Sequence, residues 1–205
     1  VYEQIISDLK VAKGTISDHY LDAKLSGATE ERLRPNKFAV SALLARVYLF
    51  SGDYPNAETL ASESINNSSV YELTALDKVF LKNSNETIWS IQPVGIGENT
   101  KEALFYHLRS TGPSASNPAY LAPPFMKRFE PNDKSRSAWT SQVLSNGVGY
   151  NYPTKYKIIE YNAPLTEYTV VLRLAEQYLI RAEAKAMQNN LSGAREDIRA
   201  IRKRR

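Results

Sequence analysis

The chain has 205 residues, a length that suits one domain, with 42% hydrophobic and 23% charged residues as in an ordinary globular protein. Its formal net charge of +4 arises from 26 basic and 22 acidic side chains. The last four residues, 202–205, are all basic, so the rest of the chain is neutral and we expect no nucleic-acid partner. The chain contains no cysteine, which excludes disulfides, thiolate metal sites and cysteine nucleophiles within it.

Helical spacing of apolar residues predicts three helices in the first third of the chain. The first spans residues 1–25 and precedes a polar loop that ends near Pro35. The second spans residues 37–50, and Gly52 supplies its C-terminal cap. The third helix has Pro55 in its first turn and runs into a polar cluster of asparagine and serine.

Beyond these helices the pattern changes twice. Residues 86–92 predict a short strand, in which Trp89 is expected to belong to the core. Residues 93–165 contain eight of the ten prolines and ten aromatic residues, which predicts a long, loop-rich but ordered region. Helical spacing returns at Thr169, and a last helix follows residues 189–193.

Charged residues of the last two helices are expected to pair locally. Glu176 and Glu183 lie on one predicted helix, where Arg173 and Arg181 are the expected partners. The last helix should turn its isoleucines to the core and its arginines outward, with carboxylates supplied by a segment beyond the chain.

The two predicted helix pairs match one another at an offset of 137 residues. The corresponding small residues are Ala45 and Ala182, and Ala57 and Ala194. Small residues on both sides of a turn let antiparallel helices approach closely, as in tetratricopeptide units. The second copy is weaker, because Lys185 stands where the first has Tyr48. We therefore predict a mostly α fold of tetratricopeptide-like helical hairpins with a large loop-rich insertion and a few short strands; a plain helical hairpin is the alternative for either copy alone.

Two long sequence blocks resemble the SusD/RagB-like family. The first is RPNKFAVSALLARVYLFSGDYPNA (residues 34–57) and the second is RLAEQYLIRAEA (residues 173–184). Residues 86–91, 155–157 and 194–204 resemble weaker family segments and occur in the family's order. The family's Asp-x-Arg element is similar to residues 133–136, where one extra residue separates the aspartate from the arginine.

The resemblance implies a lipid-anchored surface protein of Bacteroidota-type bacteria. Such proteins bind glycans, take part in nutrient uptake and polysaccharide utilisation, and cap a TonB-dependent, SusC-like transporter in the outer membrane. Since family members are more than twice as long, we expect residues 1–205 to be part of a single SusD/RagB-like domain whose lipid anchor lies elsewhere. Its helical repeats would occupy about 1–67 and 169–205, and its ligand region about 93–165.

A glycan site in the loop-rich region would combine aromatic rings with hydrogen-bonding groups, because sugars present both apolar faces and hydroxyls. The predicted ligand-binding residues are Trp139, Tyr120, Tyr150, Tyr152, Arg109, Asn117 and Asn151. Trp139 stands out because polar residues flank it, whereas Trp89 lies in an apolar strand. Two alternatives stay open: Trp139 packs a loop against a helix, and the individual tyrosines belong to the core.

Catalysis has little support in the sequence. Neither His19 nor His107 has a second metal ligand or a base partner at a recognisable spacing. We therefore predict non-catalytic oligosaccharide binding without a cofactor or metal. A helical scaffold for protein or peptide docking is the alternative, in which the aromatic residues form core. A carbohydrate hydrolase is kept as a third reading, because the separation of two carboxylates is invisible in a sequence.

Overall fold

A computed structural model of the protein describes residues 1–204 and contains, within them, eight α-helices and four β-strands. The helices are α1 (Tyr2–Thr15), α2 (Lys37–Ser51), α3 (Tyr54–Asn66), α4 (Lys101–Tyr106), α5 (Pro123–Met126), α6 (Lys134–Trp139), α7 (Leu174–Met187) and α8 (Leu191–Arg202). The strands are β1 (Thr87–Ile91), β2 (Thr140–Ser145), β3 (Val148–Pro153) and β4 (Thr169–Arg173). The predicted fold class is confirmed.

Residues 1–204 form two compact units. The helical unit consists of Val1–Ala75, Asn83–Ile91 and Val170–Arg204, and the loop-rich unit consists of Leu76–Lys82 and Gln92–Thr169. The helical unit is therefore assembled from three separate stretches of sequence. Among residues 1–204, no helix combines the length and apolar character needed to cross a membrane.

Side-chain caps set the limits of the first helical hairpin. The Asn36 side chain accepts a hydrogen bond from the Ala39 amide at 3.0 Å, which begins α2. Gly52 ends α2 with φ +80°, a left-handed conformation that glycine adopts without steric cost. Asp53 then caps α3 by accepting from the Asn56 amide. The predicted helix limits are confirmed here to within a few residues.

Two helix predictions were wrong at their ends. Helix α1 stops at Thr15 rather than continuing toward residue 25, because Ile16 is extended and Tyr20 is drawn into the core. There the Tyr20 hydroxyl lies 2.7 Å from both the Tyr71 hydroxyl and the Ile88 carbonyl oxygen. The helical pattern assigned from Thr169 is β4, which pairs with β1, and α7 begins only afterwards.

The small residues at the repeat positions lie where the helices touch. Ala45, Ala57, Ala182 and Ala194 are all buried. Helix α3 packs against α2 on one side and α7 on the other, and α7 packs against α8, so the two hairpins stack in the order α2, α3, α7, α8. The prediction of two related helical hairpins, separated in sequence by an insertion, is confirmed.

Two hydrophobic clusters hold the helical unit together. One lies between the stacked helices, and the other lies beside β1 and β4. The first includes Val40, Leu44, Tyr48, Ala57 and Ile180; the second includes Tyr20, Tyr71, Ile88, Leu172 and Leu174. Trp89 packs against the second cluster while partly exposed, and its indole N–H donates to the Leu33 carbonyl at 2.9 Å.

The predicted local ion pairs of α7 are wrong, because each partner comes from another element. Glu176 accepts two hydrogen bonds from Arg46 of α2, at 2.6 and 2.8 Å. Arg173 pairs with Glu86, just before β1, at 2.5 Å. Arg181 pairs with Asp197 of α8. Helix packing, rather than spacing along one helix, brings these charges together.

The expectation that α8 turns its arginines outward is confirmed for Arg195, Arg199 and Arg202, which are exposed, but the expectation that Ile198 faces the core is wrong. Ala194 and Asp197 are buried, whereas Ile198 is exposed. Arg204 points inward and pairs with the fully buried carboxylate of Glu86, which supplies the counter-charge expected from outside the chain. Glu86 thereby joins two arginines that lie more than 30 residues apart in sequence.

An antiparallel β2–β3 hairpin is the regular element of the loop-rich unit. Its register places Val143 opposite Tyr150 and Gln142 opposite Asn151. Asn146 and Gly147 form the turn with φ of +51° and +78°, the signature of a tight two-residue hairpin turn. Short helices and loops surround this hairpin.

Candidate functional site

The β2–β3 hairpin sorts the predicted site residues onto two faces. Successive side chains of a strand point to opposite sides of a sheet. Tyr150 and Tyr152 therefore share one face, while Asn151 lies on the other, opposite Gln142. The seven predicted residues consequently do not form a single cluster.

Tyr120 and Tyr150 form an edge-to-face pair with ring centroids 5.2 Å apart and planes at 79°. The Leu121 amide donates to the Asn151 carbonyl at 2.7 Å and fixes this segment beside β3. Tyr120 remains 51% exposed, whereas Tyr150 is half-buried. We call these two residues the tyrosine pair. Tyr150 packs against the Tyr120 ring, which solvent can reach.

A tight turn lies beside the tyrosine pair. The Gly112 amide donates to the Arg109 carbonyl at 2.9 Å, and the Ser145 hydroxyl donates to the Thr111 carbonyl at 2.9 Å. A Cβ atom added to Gly112 would lie 3.0 Å from the Ser145 Cβ and 3.5 Å from the Tyr150 ring. The absence of a side chain at Gly112 thus lets the turn approach the hairpin closely, with Arg109 exposed on it.

Tyr152 of β3 is buried and packs against His107. Its ring centroid lies 5.0 Å from that of His107, and its hydroxyl lies 3.4 Å from His107 Nε2. Burial lowers the pKa of His107 below its usual value, and the nearby Arg109 charge lowers that pKa further. A neutral imidazole is therefore favoured beside Tyr152.

Asn117 is buried and closes the end of α4. Its side-chain amide donates to the carbonyl oxygens of Leu104 and Phe105, the latter at 3.1 Å. Carbonyl groups in the last turn of a helix lack helical partners, so a side-chain donor satisfies them. Both donors of the Asn117 amide group are used inside the protein.

Trp139 ends α6 and packs within the loop-rich unit. Its indole N–H donates to the Leu76 carbonyl at 2.9 Å, and its ring meets Phe80 edge-to-face with centroids 5.6 Å apart. The Lys155 ammonium lies 5.8 Å from the indole ring. The side chain is partly exposed. This arrangement favours the alternative in which Trp139 packs a loop against a helix.

The second face of the hairpin borders an open cleft of about 850 Å³. We call this the polar cleft; it is lined by residues 129–134, 136, 137, 140–142 and 151. Asp133 caps α6 there by accepting from the Ser135 amide at 2.8 Å. Of the seven predicted residues, only Asn151 lines the polar cleft. The sequence signals for the remaining lining were the Asp133–Arg136 segment and the polar residues that flank Trp139, several of which line the polar cleft.

Histidines and carboxylates show no metal-binding arrangement in the part of the chain that the structure describes, since no group of three or more is suitably placed. His19 is exposed and lies 3.3 Å from Asp18.

Comparison with known proteins places this fold among SusD-like proteins. Residues 126–205 match the SusD family. A SusD superfamily protein from Bacteroides thetaiotaomicron is 23% identical, with a TM-score of 0.78 over 100% of this chain and 46% of the other. Surface glycan-binding protein A from Bacteroides uniformis is 17% identical, with a TM-score of 0.74 over 99% of this chain and 49% of the other.

A laminarin-binding SusD-like protein is 20% identical, with a TM-score of 0.71 over 99% of this chain and 53% of the other. No curated protein is significantly similar to this chain in sequence. The chain spans about half the length of the solved structures that it matches. Its helical hairpins and loop-rich insertion form a SusD-like fold, and residues 126–205 are similar in sequence to the SusD family.

Proposed function

We propose that the protein binds an oligosaccharide without chemically altering it, and that the tyrosine pair on the loop-rich unit is the platform. The half-exposed ring of Tyr120 carries this proposal. An aromatic face stacks on the C–H groups of a sugar ring, while neighbouring polar groups bind its hydroxyls. Arg109 lies on the adjacent turn and offers guanidinium donors for this purpose.

The names of two structural neighbours support a carbohydrate ligand, since one is a surface glycan-binding protein and the other binds laminarin. By the same likeness, we propose that the whole protein is lipid-anchored at the outer membrane and passes its glycan to a SusC-like, TonB-dependent transporter.

An affinity gel tests the tyrosine platform. The purified protein is run through gels containing laminarin, amylose, xylan or mannan, and retardation by at least one glycan is expected. Tyr120→Ala should weaken that retardation about fivefold or more, because stacking contributes about 1 kcal/mol or more. Tyr161→Ala is the matched control, since Tyr161 is an exposed tyrosine of the same unit outside the pair.

Equal retardation of the wild-type protein and Tyr120→Ala would rule out the tyrosine pair as the platform. Incubation of the retained glycan with the protein should release no reducing sugar, and measurable release would overturn the non-catalytic assignment. Both outcomes can be read from the same protein preparation.

Protein docking is the second candidate, and an exposed apolar loop favours it. Val94 and Ile96 are 96% and 89% exposed in the loop-rich unit. Exposed apolar side chains that lie together on a loop offer a surface that a protein partner can cover. Co-purification with an outer-membrane transporter, combined with no retention by any glycan, would favour docking over glycan binding.

A further inference from the structure

The polar cleft lies on the face of the hairpin opposite the tyrosine pair, and the glycan platform described above does not use it. We propose that it is a second carbohydrate subsite, which takes neutral sugar units and binds them chiefly through the amides of Gln142 and Asn151. This inference rests on the proposed function for the class of ligand. The volume of the polar cleft, about 850 Å³, lies within the usual range for ligand pockets, about 300–1,000 Å³.

The hairpin register brings the two amides together in the polar cleft. Gln142 and Asn151 are directly opposite each other, and Gln142 Nε2 lies 3.5 Å from Asn151 Oδ1. Two adjacent carboxamides offer both donors and acceptors, which matches a pair of neighbouring sugar hydroxyls that can each donate and accept. Strands β2 and β3 hold the backbone of both residues in place.

Gly149 makes room for the Gln142 side chain. A Cβ atom added to Gly149 would lie only 2.9 Å from Gln142 Nε2. The Gln142 amide therefore lies across the backbone of Gly149. A methyl group at this position would displace the amide and would remove no polar group from the polar cleft.

The charges around the polar cleft balance. Glu130 and Asp133 contribute two carboxylates, and Lys134 and Arg136 contribute two cations. A lining with no net charge favours a neutral, hydroxyl-rich ligand over an anion or a cation. Hydroxyl groups of Ser137 and Thr140 add hydrogen-bonding capacity: each donates to a backbone carbonyl and keeps lone pairs for a ligand donor.

An aromatic ring is also present in the polar cleft. Phe129 lines it, is partly exposed, and is held edge-to-face against Phe125 with centroids 5.6 Å apart. A ring fixed in this way supplies the apolar surface on which a sugar face can stack. The polar cleft thus combines amides, hydroxyls and one aromatic ring, the groups that a sugar subsite requires.

Side-chain amide NMR signals test this second subsite directly. The protein is titrated with laminarihexaose, and then with the hexasaccharides of amylose, xylan and mannan. With at least one of them, saturable shifts are expected in the Gln142 and Asn151 amide signals, and these shifts should persist in Tyr120→Ala. Gln92→Ala is the matched control, because Gln92 is an exposed amide of the loop-rich unit outside the polar cleft.

Variants of the polar cleft complete the test. Gly149→Ala and Asn151→Ala should each weaken binding at the polar cleft by fivefold or more and leave binding at the tyrosine pair unchanged. Shifts confined to the tyrosine pair would overturn the second subsite and keep the proposed function. No shift in either region with any hexasaccharide would overturn both. Shifts confined to the polar cleft would support the subsite while rejecting the tyrosine platform.

Discussion

The hairpins α2–α3 and α7–α8 share a backbone plan. Gly52 and Asn189, 137 residues apart, both adopt left-handed conformations, with φ of +80° and +65°. The next residues, Asp53 and Asn190, both cap the following helix through a side-chain oxygen. The turn chemistry is thus the same in both hairpins, although glycine fills the left-handed position in one and asparagine in the other.

The hairpins differ where their helices face each other. In the first hairpin, Leu44 and Tyr48 belong to the first hydrophobic cluster, and Leu60 packs against it. At an offset of 137, the same positions hold Arg181, Lys185 and Asp197. Asp197 lies 2.6 Å from Arg181 and 2.9 Å from Lys185, and its carboxylate is 4% exposed. A cluster of charged side chains replaces an apolar one in the same helical frame.

This replacement shows that packing geometry and side-chain chemistry are separable in the repeat. Small residues at the helix contact set the distance between the helices, and apolar or charged groups then fill the adjacent space. Burying charged groups costs desolvation energy, which the ion pairs offset only when all partners are present. We therefore expect the second hairpin to be far more sensitive to loss of one partner than to replacement of all three.

Removal of the shared carboxylate should have the largest effect. Asp197→Asn leaves two partly buried cations without their counter-charge, so the free energy of unfolding should fall by about 3–5 kcal/mol. Urea denaturation of the purified protein measures this change. Glu196→Gln is the matched control on the same helix, where an exposed carboxylate should matter by less than about 0.5 kcal/mol. Equal effects of the two substitutions would show that the charged cluster contributes nothing specific.

Replacement of all three charged residues by their first-hairpin counterparts should not lower the free energy of unfolding. The triple variant Arg181→Leu, Lys185→Tyr, Asp197→Leu removes every charge of this cluster at once. Its free energy of unfolding should stay unchanged or rise by about 1–4 kcal/mol, because no partner is left unpaired. The same urea denaturation measures this, and a loss as large as that of Asp197→Asn would mean that the two hairpins are not interchangeable.

The comparison also shows which parts of the fold the sequence predicts. The caps Asn36, Gly52 and Asp53 act on neighbouring residues, so the limits of α2 and α3 follow from local chemistry. Ion partners depend on helices that are distant in sequence. Glu176 accordingly pairs with Arg46 rather than with an arginine of its own helix.

Prediction of the candidate site has a similar limit. Composition indicates that aromatic and amide residues of the loop-rich region are suited to sugars, but strand register decides which of them face outward. Tyr120 is exposed, whereas Tyr152 and Asn117 are committed to contacts inside the protein. Tyr150 and Asn151 are neighbours in β3, yet their side chains lie on opposite faces of the hairpin. The assignment of ligand contacts therefore stays a prediction for the glycan experiments to test.

The turn positions should show the smallest effect. Gly52→Ala places a Cβ in the left-handed region, which costs about 1–2 kcal/mol, and no neighbouring atom lies within 4 Å of that Cβ, so backbone strain alone is measured. Asn189→Ala should cost less, because asparagine already bears part of that strain. Asn189→Gly, which places the glycine of the first hairpin in the second, should slightly raise the free energy of unfolding. A larger loss for Asn189→Ala than for Gly52→Ala would show that the Asn189 side chain contributes beyond its tolerance of the left-handed conformation.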